Sequence, residues 1–346
     1  MLIEEDLDRR LKLKPDVSPI MGSLRWPSRP QFPNGNESWT YMVEGAREGF
    51  AVFVGHVCNG RAHPFEVWVN GSEQPRTLGA VAKTLSADMR NQDRAWLNMK
   101  LAALAKTEND KSFPMQLGDR QVVACSASSA LAQVVQFRLR QLGIDDIPAG
   151  EEATPLMDQL MSPREPKGAT MSWTLDVANP AAGDDFVLFL KEAQLEDGST
   201  RPYSLWLSGK YPRELDGLCK LLSIDMRVID PAWVGMKLRK LLNYEEPMGS
   251  FWAKVPGEEK SHNYPSTVAY LARVILHRFE RHGLLDAHGE PLKPMGVLVR
   301  ETARSKASGQ VMAGSPCPSC HQLTLVRRDG FSVCASPDCS YEGNCG

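Results

Sequence analysis

LSADMR at 85–90 and LSIDMR at 222–227 differ in one residue, and the match extends in register on both sides. PFEVWVNG at 64–71 answers PYSLWLSG at 202–209, and AWLNMKL at 95–101 answers AWVGMKL at 232–238, so the offset across these pairs is 137 or 138 residues. Pro75-Arg76 answers Pro212-Arg213, and Ser38-Trp39, ahead of an alternating apolar run, answers Ser172-Trp173. An internal echo of this kind decides the architecture before any local propensity does, and it predicts two homologous repeats.

Within each copy the apolar period changes from two to about 3.6 in the same order. Residues 50–57 and 64–70, and in the second copy 186–193 and 202–208, are aromatic and β-branched runs that read as strands. Asn59-Gly60 and Asp197-Gly198 lie between them, and both dipeptides suit the positive φ angles of a tight hairpin. LGAVAKTLSADMR and LDGLCKLLSIDMR then space apolar residues as a helix lying on a sheet would. A second helix is expected to start at Asp93 or Asp230, whose carboxylate can accept from open first-turn amides. A third, about 127–142 and 266–282, stops before Gly143 or Gly283. The expected fold is α+β: two repeats, each an antiparallel hairpin sheet packed by helices, plus a C-terminal zinc ribbon.

These signals divide the chain into an N-terminal extension at 1–35, a first repeat at 36–145, a linker at 146–170 and a second repeat at 171–285. A flexible tether at 286–315 and a ribbon with a redox tail at 316–346 complete it. The tether is polar and poor in aromatic residues, and some 30 flexible residues span roughly 30 Å in the root-mean-square sense.

Five of the eight cysteines fall in the last 30 residues. CPSC at 317–320 and CASPDC at 334–339 are separated by 13 residues that include Asp329-Gly330 between short apolar runs, the pattern of a ribbon hairpin. Cys317, Cys320, Cys334 and Cys339 are therefore the expected ligands of a structural zinc, and His321 a bystander. Cys345, one residue from the end, is left over: a mobile thiol fit for exchange with a disulfide, or a cysteine without consequence.

With 40 basic and 42 acidic residues the net charge is −2, which supplies no global field for a polyanion and counts against nucleic acid as a general partner. MLIEEDLDRRLKLKPD lacks the apolar core of a secretory signal, and no run is long enough to span a membrane, so a cytoplasmic location is expected. No phosphate-cradling glycine loop, zinc-protease helix or nucleophile elbow occurs in supporting context. Asp286-Ala287-His288-Gly289 reads as a turn, and His56, His63, His262, His277 and His282 show no converging ligand spacing. Trp39, Trp68, Trp96, Trp173, Trp206 and Trp233 recur in both copies, which assigns them to core packing rather than to a stacking platform. Arg90 and Arg227, each following Asp-Met, either pair across the copies or bind an anion, with the structural role favoured.

Taken together, GHVCNGRAHPFEVWVNGSEQPRTLGAVAKTLSADMR, its echo RPYSLWLSGKYPRELDGLCKLLSIDMR and the terminal CPSC…CASPDCSYEGNCG resemble the carboxyl-terminal portion of adenosylcobalamin-dependent ribonucleotide reductases. The resemblance covers about 35–346. It implies duplicated TSCPD-type domains and a cysteine-rich tail. In that family the radical chemistry belongs to an α/β barrel that precedes this region and has no counterpart in this sequence. Adenosylcobalamin would accordingly reside only in a partner catalytic subunit, and the isolated chain would not be catalytic. The resemblance further implies that tail cysteines re-reduce the active-site disulfide formed at each turnover and take electrons from a thioredoxin-like donor. Carried onto this sequence, Cys345 is the exchanging thiol, with Cys339 or the CPSC pair as its partner. The CASPDC spacing is looser than a second C-x2-C, which leaves open how metal and redox roles divide among the cysteines. The implied activity is that of a ribonucleoside-diphosphate reductase. The contrasting reading is a zinc-ribbon scaffold or regulator touching nucleic acid through Arg300, Arg304, Lys306, Arg327 and Arg328.

Overall fold

A computed structural model describes residues 10–14, 20–46, 48–59, 61–144, 155–162, 170–194, 199–292, 297–301, 310–311, 317–320, 325–328, 331–334, 339 and 341–344. After β1 (Arg10–Lys14), a three-stranded antiparallel sheet is formed by β2 (Ser38–Glu44), β3 (Gly49–Asn59) and β4 (Arg61–Asn70). Helices α1 (Leu78–Met89) and α2 (Arg94–Ala105), the hairpin β5 (Phe113–Leu117) and β6 (Arg120–Ala124), and α3 (Ala127–Gln141) follow. The short α4 (Pro155–Asp158) leads to the same order again. A second antiparallel sheet comprises β7 (Met171–Asn179), β8 (Asp184–Gln194) and β9 (Thr200–Lys210). Then come α5 (Glu214–Met226), α6 (Ala232–Leu241), the hairpin β10 (Phe251–Ala253) and β11 (His262–Tyr264), and α7 (Thr267–Arg281). The molecule is thus α+β with antiparallel sheets throughout.

The two units agree beyond element order. Each central hairpin carries a bulge at the same place, between Gly55 and His56 and between Lys191 and Glu192. Ser86 accepts from the Val67 amide at 2.9 Å, and Ser223 accepts from the Leu205 amide at 2.9 Å, tying the first helix of each unit to the last strand of its sheet. Ser126 and Ser266 cap α3 and α7 by accepting from Ser129 N and Ala269 N. Arg138 lies over Trp39 at 5.3 Å and Arg278 over Trp173 at 5.4 Å. The glycine that ends each sheet motif has a backbone reason. Gly71 and Gly209 sit at φ 155° and 130°, and a Cβ there would come within 2.9 Å of Gly49 O or 2.7 Å of Asp185 O.

Helices cover one face of each sheet. Val43, Phe50, Val52, Val54 and Val67 point inward in the first unit, and Val177, Phe186, Leu188, Leu190 and Leu205 in the second, all into one continuous core. Because strand side chains alternate, the residues between them face out. Thr40, Phe53 and Trp68 form one cross-strand row on the outer face of the first sheet, and Thr174, Phe189 and Trp206 form its counterpart on the second. Trp68 is 51% and Trp206 54% exposed. The expectation that all six recurring tryptophans pack the core therefore fails for these two. Trp39 and Trp173 are half-buried, and only Trp96 and Trp233 are fully enclosed.

Those two indoles meet edge to face at 6.2 Å where the units join. Around them four charged side chains, each with no solvent exposure, form a closed quartet. Lys100 reaches Asp225 at 2.7 Å and Lys237 reaches Asp88 at 2.5 Å, each bond crossing from one unit to the other. Lys237 also donates to Asp225 at 2.8 Å, while Lys100 donates to Leu221 O at 2.6 Å. Trp96 Nε1 donates to Asp88 at 2.7 Å and Trp233 Nε1 to Asp225 at 2.8 Å. Two carboxylates and two ammonium groups balance, the condition under which charge survives out of water. A second tie is asymmetric. Arg76 crosses to Asp184 with bonds of 2.7 and 2.6 Å, whereas Arg213, its echo in the sequence, stacks over Tyr211 at 4.8 Å.

The caps and stops read from the sequence are in place. Asp93 accepts from Trp96 N at 2.9 Å, Asp230 accepts from Ala232 N at 2.9 Å, and Gly143 and Gly283 take φ 65° and 66°. Asn59 pairs with Arg61 and Gln194 with Thr200 across the expected hairpin turns, although Gly60, Asp197 and Gly198 lie outside the described residues. Segment 286–315 departs from a bare tether. Asp286 accepts from His288 N and Glu290 N, so 286–290 form the expected turn, which lies against Gly235 on α6. Further on, β12 (Val297–Glu301) pairs along its whole length with β1, and β13 (Gln310–Val311) adds to β12. VLVRE and RLKLK are both strand-forming, and each supplies the backbone partner that the other lacks.

Candidate metal centre

The chain ends in a small antiparallel sheet, β14 (Leu325–Arg328), β15 (Phe331–Cys334) and β16 (Glu342–Asn344). Arg328 pairs with Phe331, which leaves only Asp329 and Gly330 to connect β14 and β15. Cys334 closes β15, and its amide donates to Tyr341 O at 2.9 Å, fixing the return of the chain beside it. On the other side Cys317 opens the turn that carries Cys320, and the Ser319 amide donates to Cys317 Sγ at 3.4 Å.

The four sulfurs lie within 4.8 Å of one another. Cys317 Sγ is 3.8 Å from Cys339 Sγ, and Cys320 Sγ is 3.6 Å from Cys334 Sγ. A disulfide would place sulfurs about 2.05 Å apart, whereas four thiolates around zinc at about 2.3 Å stand roughly 3.8 Å apart along the edges of a tetrahedron. The two shortest separations exclude a disulfide and suit the edges of a metal tetrahedron. Cys317 and Cys334 are buried and Cys320 and Cys339 half-buried, so the cluster is closed in the manner of a structural site. The expected set of four ligands is thus brought together, and it can hold a metal ion such as zinc.

Cys345 and His321 lie outside the described residues. The last described residue, Asn344, pairs with Phe331, three residues along β15 from Cys334 and roughly 10 Å away at strand rise. Elsewhere, Cys58 and Cys125 are exposed and Cys219 is buried, with burial pushing its thiol well above the ordinary range. Among the described residues no other group of histidine, cysteine or carboxylate side chains converges as a metal site, and no helix is long and apolar enough to cross a membrane. His282 Nε2 donates to Glu192, 2.9 Å away, and Arg278 also binds that carboxylate. This places His282 in a structural tie between α7 and β8. Arg90 and Arg227 do not pair with each other; Arg227 lies over Tyr203 at 4.9 Å.

Sequence reasoning missed the Asp88, Lys100, Asp225 and Lys237 quartet. Its signal was present, since both ion-forming residues repeat at matched positions inside apolar helical faces, in LSADM/LSIDM and NMKL/GMKL. A repeated charge on a buried stripe calls for a partner. No family model, no curated protein and no solved structure matches this chain.

Proposed function

We propose that this chain is a carboxyl-terminal subunit, or a fragment, of an adenosylcobalamin-dependent ribonucleoside-diphosphate reductase, acting in the cytoplasm. In this reading its tail relays reducing equivalents from a thioredoxin-like donor to a separate catalytic barrel, which alone carries adenosylcobalamin. The two units are copies of one ancestral domain, a view supported by the shared bulges, serine bridges, caps and Trp–Asp bonds. Zinc is structural, held by Cys317, Cys320, Cys334 and Cys339.

The observation that carries the reading is the division of the tail sulfurs. Four converge as one metal set, which fills the four positions of a zinc site and leaves Cys345 as the fifth cysteine of the tail sequence. A thiol outside the metal set can open an exchange without dismantling the ribbon. Cys345 thiolate attacks the barrel's disulfide, a mixed disulfide forms, and in a second step Cys339 leaves the metal set and its thiolate displaces the barrel cysteine. The barrel gains two thiols, the tail becomes the disulfide, and the thioredoxin-like donor reduces it.

The assay is deoxynucleotide formed per enzyme when this chain is added to a tail-less barrel with adenosylcobalamin and a thioredoxin system. Added chain should convert a single turnover into many, and Cys345→Ser should weaken that restoration while leaving turnover with a small dithiol unchanged. If Cys345→Ser matches the parent while Cys317→Ser abolishes turnover, the terminal thiol is a bystander.

A second reading, a scaffold that binds single-stranded nucleic acid, is favoured by one observation, the outward rows Phe53–Trp68 and Phe189–Trp206. Bases stack on such pairs. Binding of a short oligonucleotide that weakens with salt and is lost in Trp68→Ala and Trp206→Ala would select it.

A further inference from the structure

Arg90 closes α1 and is only 6% exposed, yet its Nε meets no acceptor. Lys240, in the last turn of α6, has its amine shielded from solvent and also meets none. Lys83 lies half-buried on α1 and joins no ion pair among the described residues. Helices α1 and α6 touch, and Arg90 and Lys83 both act on the charge of Lys240, so the three cations share one seam between the units. Burial, reinforced by Arg90, Lys237, Arg239 and Lys83, pushes Lys240 down to about 8.

The carboxylates nearby are committed. Glu66 acts on Arg90 but is held by Arg29 and Trp68, and Asp88 belongs to the buried quartet. Arg239 is taken up by Glu290 and Gly289 O. The carbonyl ends of α1 and α6 favour cations, but each supplies only about half a charge against three.

Comparison with the other unit shows that the fold does not require this surplus. Lys83 and Arg90 correspond to Lys220 and Arg227, while Arg239 and Lys240 correspond to Ala102 and Ala103. Lys220 there donates to Lys106 O at 3.4 Å, and Arg227 lies over Tyr203 at 4.9 Å, although its Nε, like that of Arg90, meets no acceptor; the difference between the seams is Lys240. One seam is settled with alanines, and the other has gained an occluded amine.

We infer that the α1–α6 seam is a binding site for a phosphate group, held by Lys83, Arg90 and Lys240. A phosphate carries close to two negative charges near neutral pH and several acceptor oxygens. It suits one guanidinium fork and two ammonium point charges better than a single carboxylate does. Half-exposed Lys83 marks the open side.

The test is thermal unfolding of the full chain in inorganic phosphate against chloride at matched ionic strength, for the parent, Lys240→Met, Lys83→Met and Lys220→Met. Phosphate should raise the midpoint of the parent and of Lys220→Met. Lys240→Met should be more stable than the parent without phosphate, and should lose about tenfold or more in phosphate affinity, the weight of one charge-assisted hydrogen bond. Modification of Lys240 by an amine reagent should slow when phosphate is present. ADP in place of phosphate identifies the source: tighter binding means a nucleotide phosphate, equal binding a free one, and either supports the site. No increment in the parent, or an equal increment in Lys240→Met and Lys83→Met, overturns the proposal.

Discussion

Asp225→Asn is the sharpest probe of how the two units are joined. Asp225 accepts from Lys100 at 2.7 Å, Lys237 at 2.8 Å and Trp233 Nε1 at 2.8 Å, and none of these side chains reaches solvent. Asparagine keeps the shape and can still accept from Trp233, so the change removes charge and little else. At an effective dielectric of about 20, one pair at this distance contributes roughly 6 kcal/mol of gross attraction, against a desolvation cost of several kcal/mol per ion. The intact quartet therefore adds little net stability, but the variant leaves two buried ammonium groups sharing Asp88, at 2.5 and 3.9 Å. Breaking a buried pair typically costs about 3–5 kcal/mol. In a chain of 346 residues, with an unfolding entropy of about 0.7 kcal/mol/K, that lowers the midpoint by roughly 4–7 °C. Restoring neutrality by adding Lys100→Met should recover much of the loss, giving a coupling of at least about 1–2 kcal/mol in a double-mutant cycle. Urea unfolding of the four proteins at pH 7 supplies the energies. A single-variant loss under about 1 kcal/mol, or strict additivity of the two, would show that the charges are not held against each other as the distances indicate.

The purified chain should bind about one zinc per molecule, and chelation should unfold the terminal sheet while leaving the two units intact; elemental analysis with hydrogen exchange over 317–344 checks both. Glu192 tests the electrostatics. Burial opposes its charge, but the bonds from Arg278 and His282 outweigh it and hold the carboxyl below its ordinary value of 4.5. Its stabilising contribution is therefore complete above that value and lost as the pH falls through the depressed one. Glu192→Gln should lag the parent by about 1–3 kcal/mol at pH 7, and the gap should close below pH ~4 in denaturant titrations.

The elements that were legible in the sequence share a short-range cause. Asp93 marks the start of α2, and Gly143 and Gly283 the ends of α3 and α7, because cap geometry depends on a few adjacent residues. The ligands of the candidate metal centre were legible for a similar reason, since paired cysteines separated by a hairpin leave few arrangements. The misplacement of Trp68 and Trp206 came from letting recurrence outrank alternation. In VWVN the valines Val67 and Val69 occupy the inner face, so the tryptophan between them has to face outward. The pairing of β1 with β12 was not legible because it joins segments nearly the whole chain apart, and no local signal reports such a contact. The β5–β6 and β10–β11 hairpins are too short, at five and three residues per strand, for periodicity to distinguish them from loops.

Agreement and difference between the units carry separate information. Residues kept in both, such as Asp88 with Asp225, Trp96 with Trp233 and Ser86 with Ser223, are buried and bonded to each other or to backbone. They meet demands that each unit makes alone or that the pair makes symmetrically. Several departures lie where the units meet, and another holds the N-terminal segment. Arg76 binds Asp184 and Glu246 across the junction while Arg213 stays on its own Tyr211. Lys240 stands where the first unit has Ala103, and Glu66, which anchors Arg29 of the N-terminal segment, stands where the second unit has Ser204. A homodimer of one such unit would have two equivalent seams and could not give one of them an excess of cations without giving it to the other. Two units in one chain are free of that constraint, because each seam can change by itself. The buried quartet holds the pairing fixed, and the seam residues are left free to specialise for a ligand or a partner on one side only.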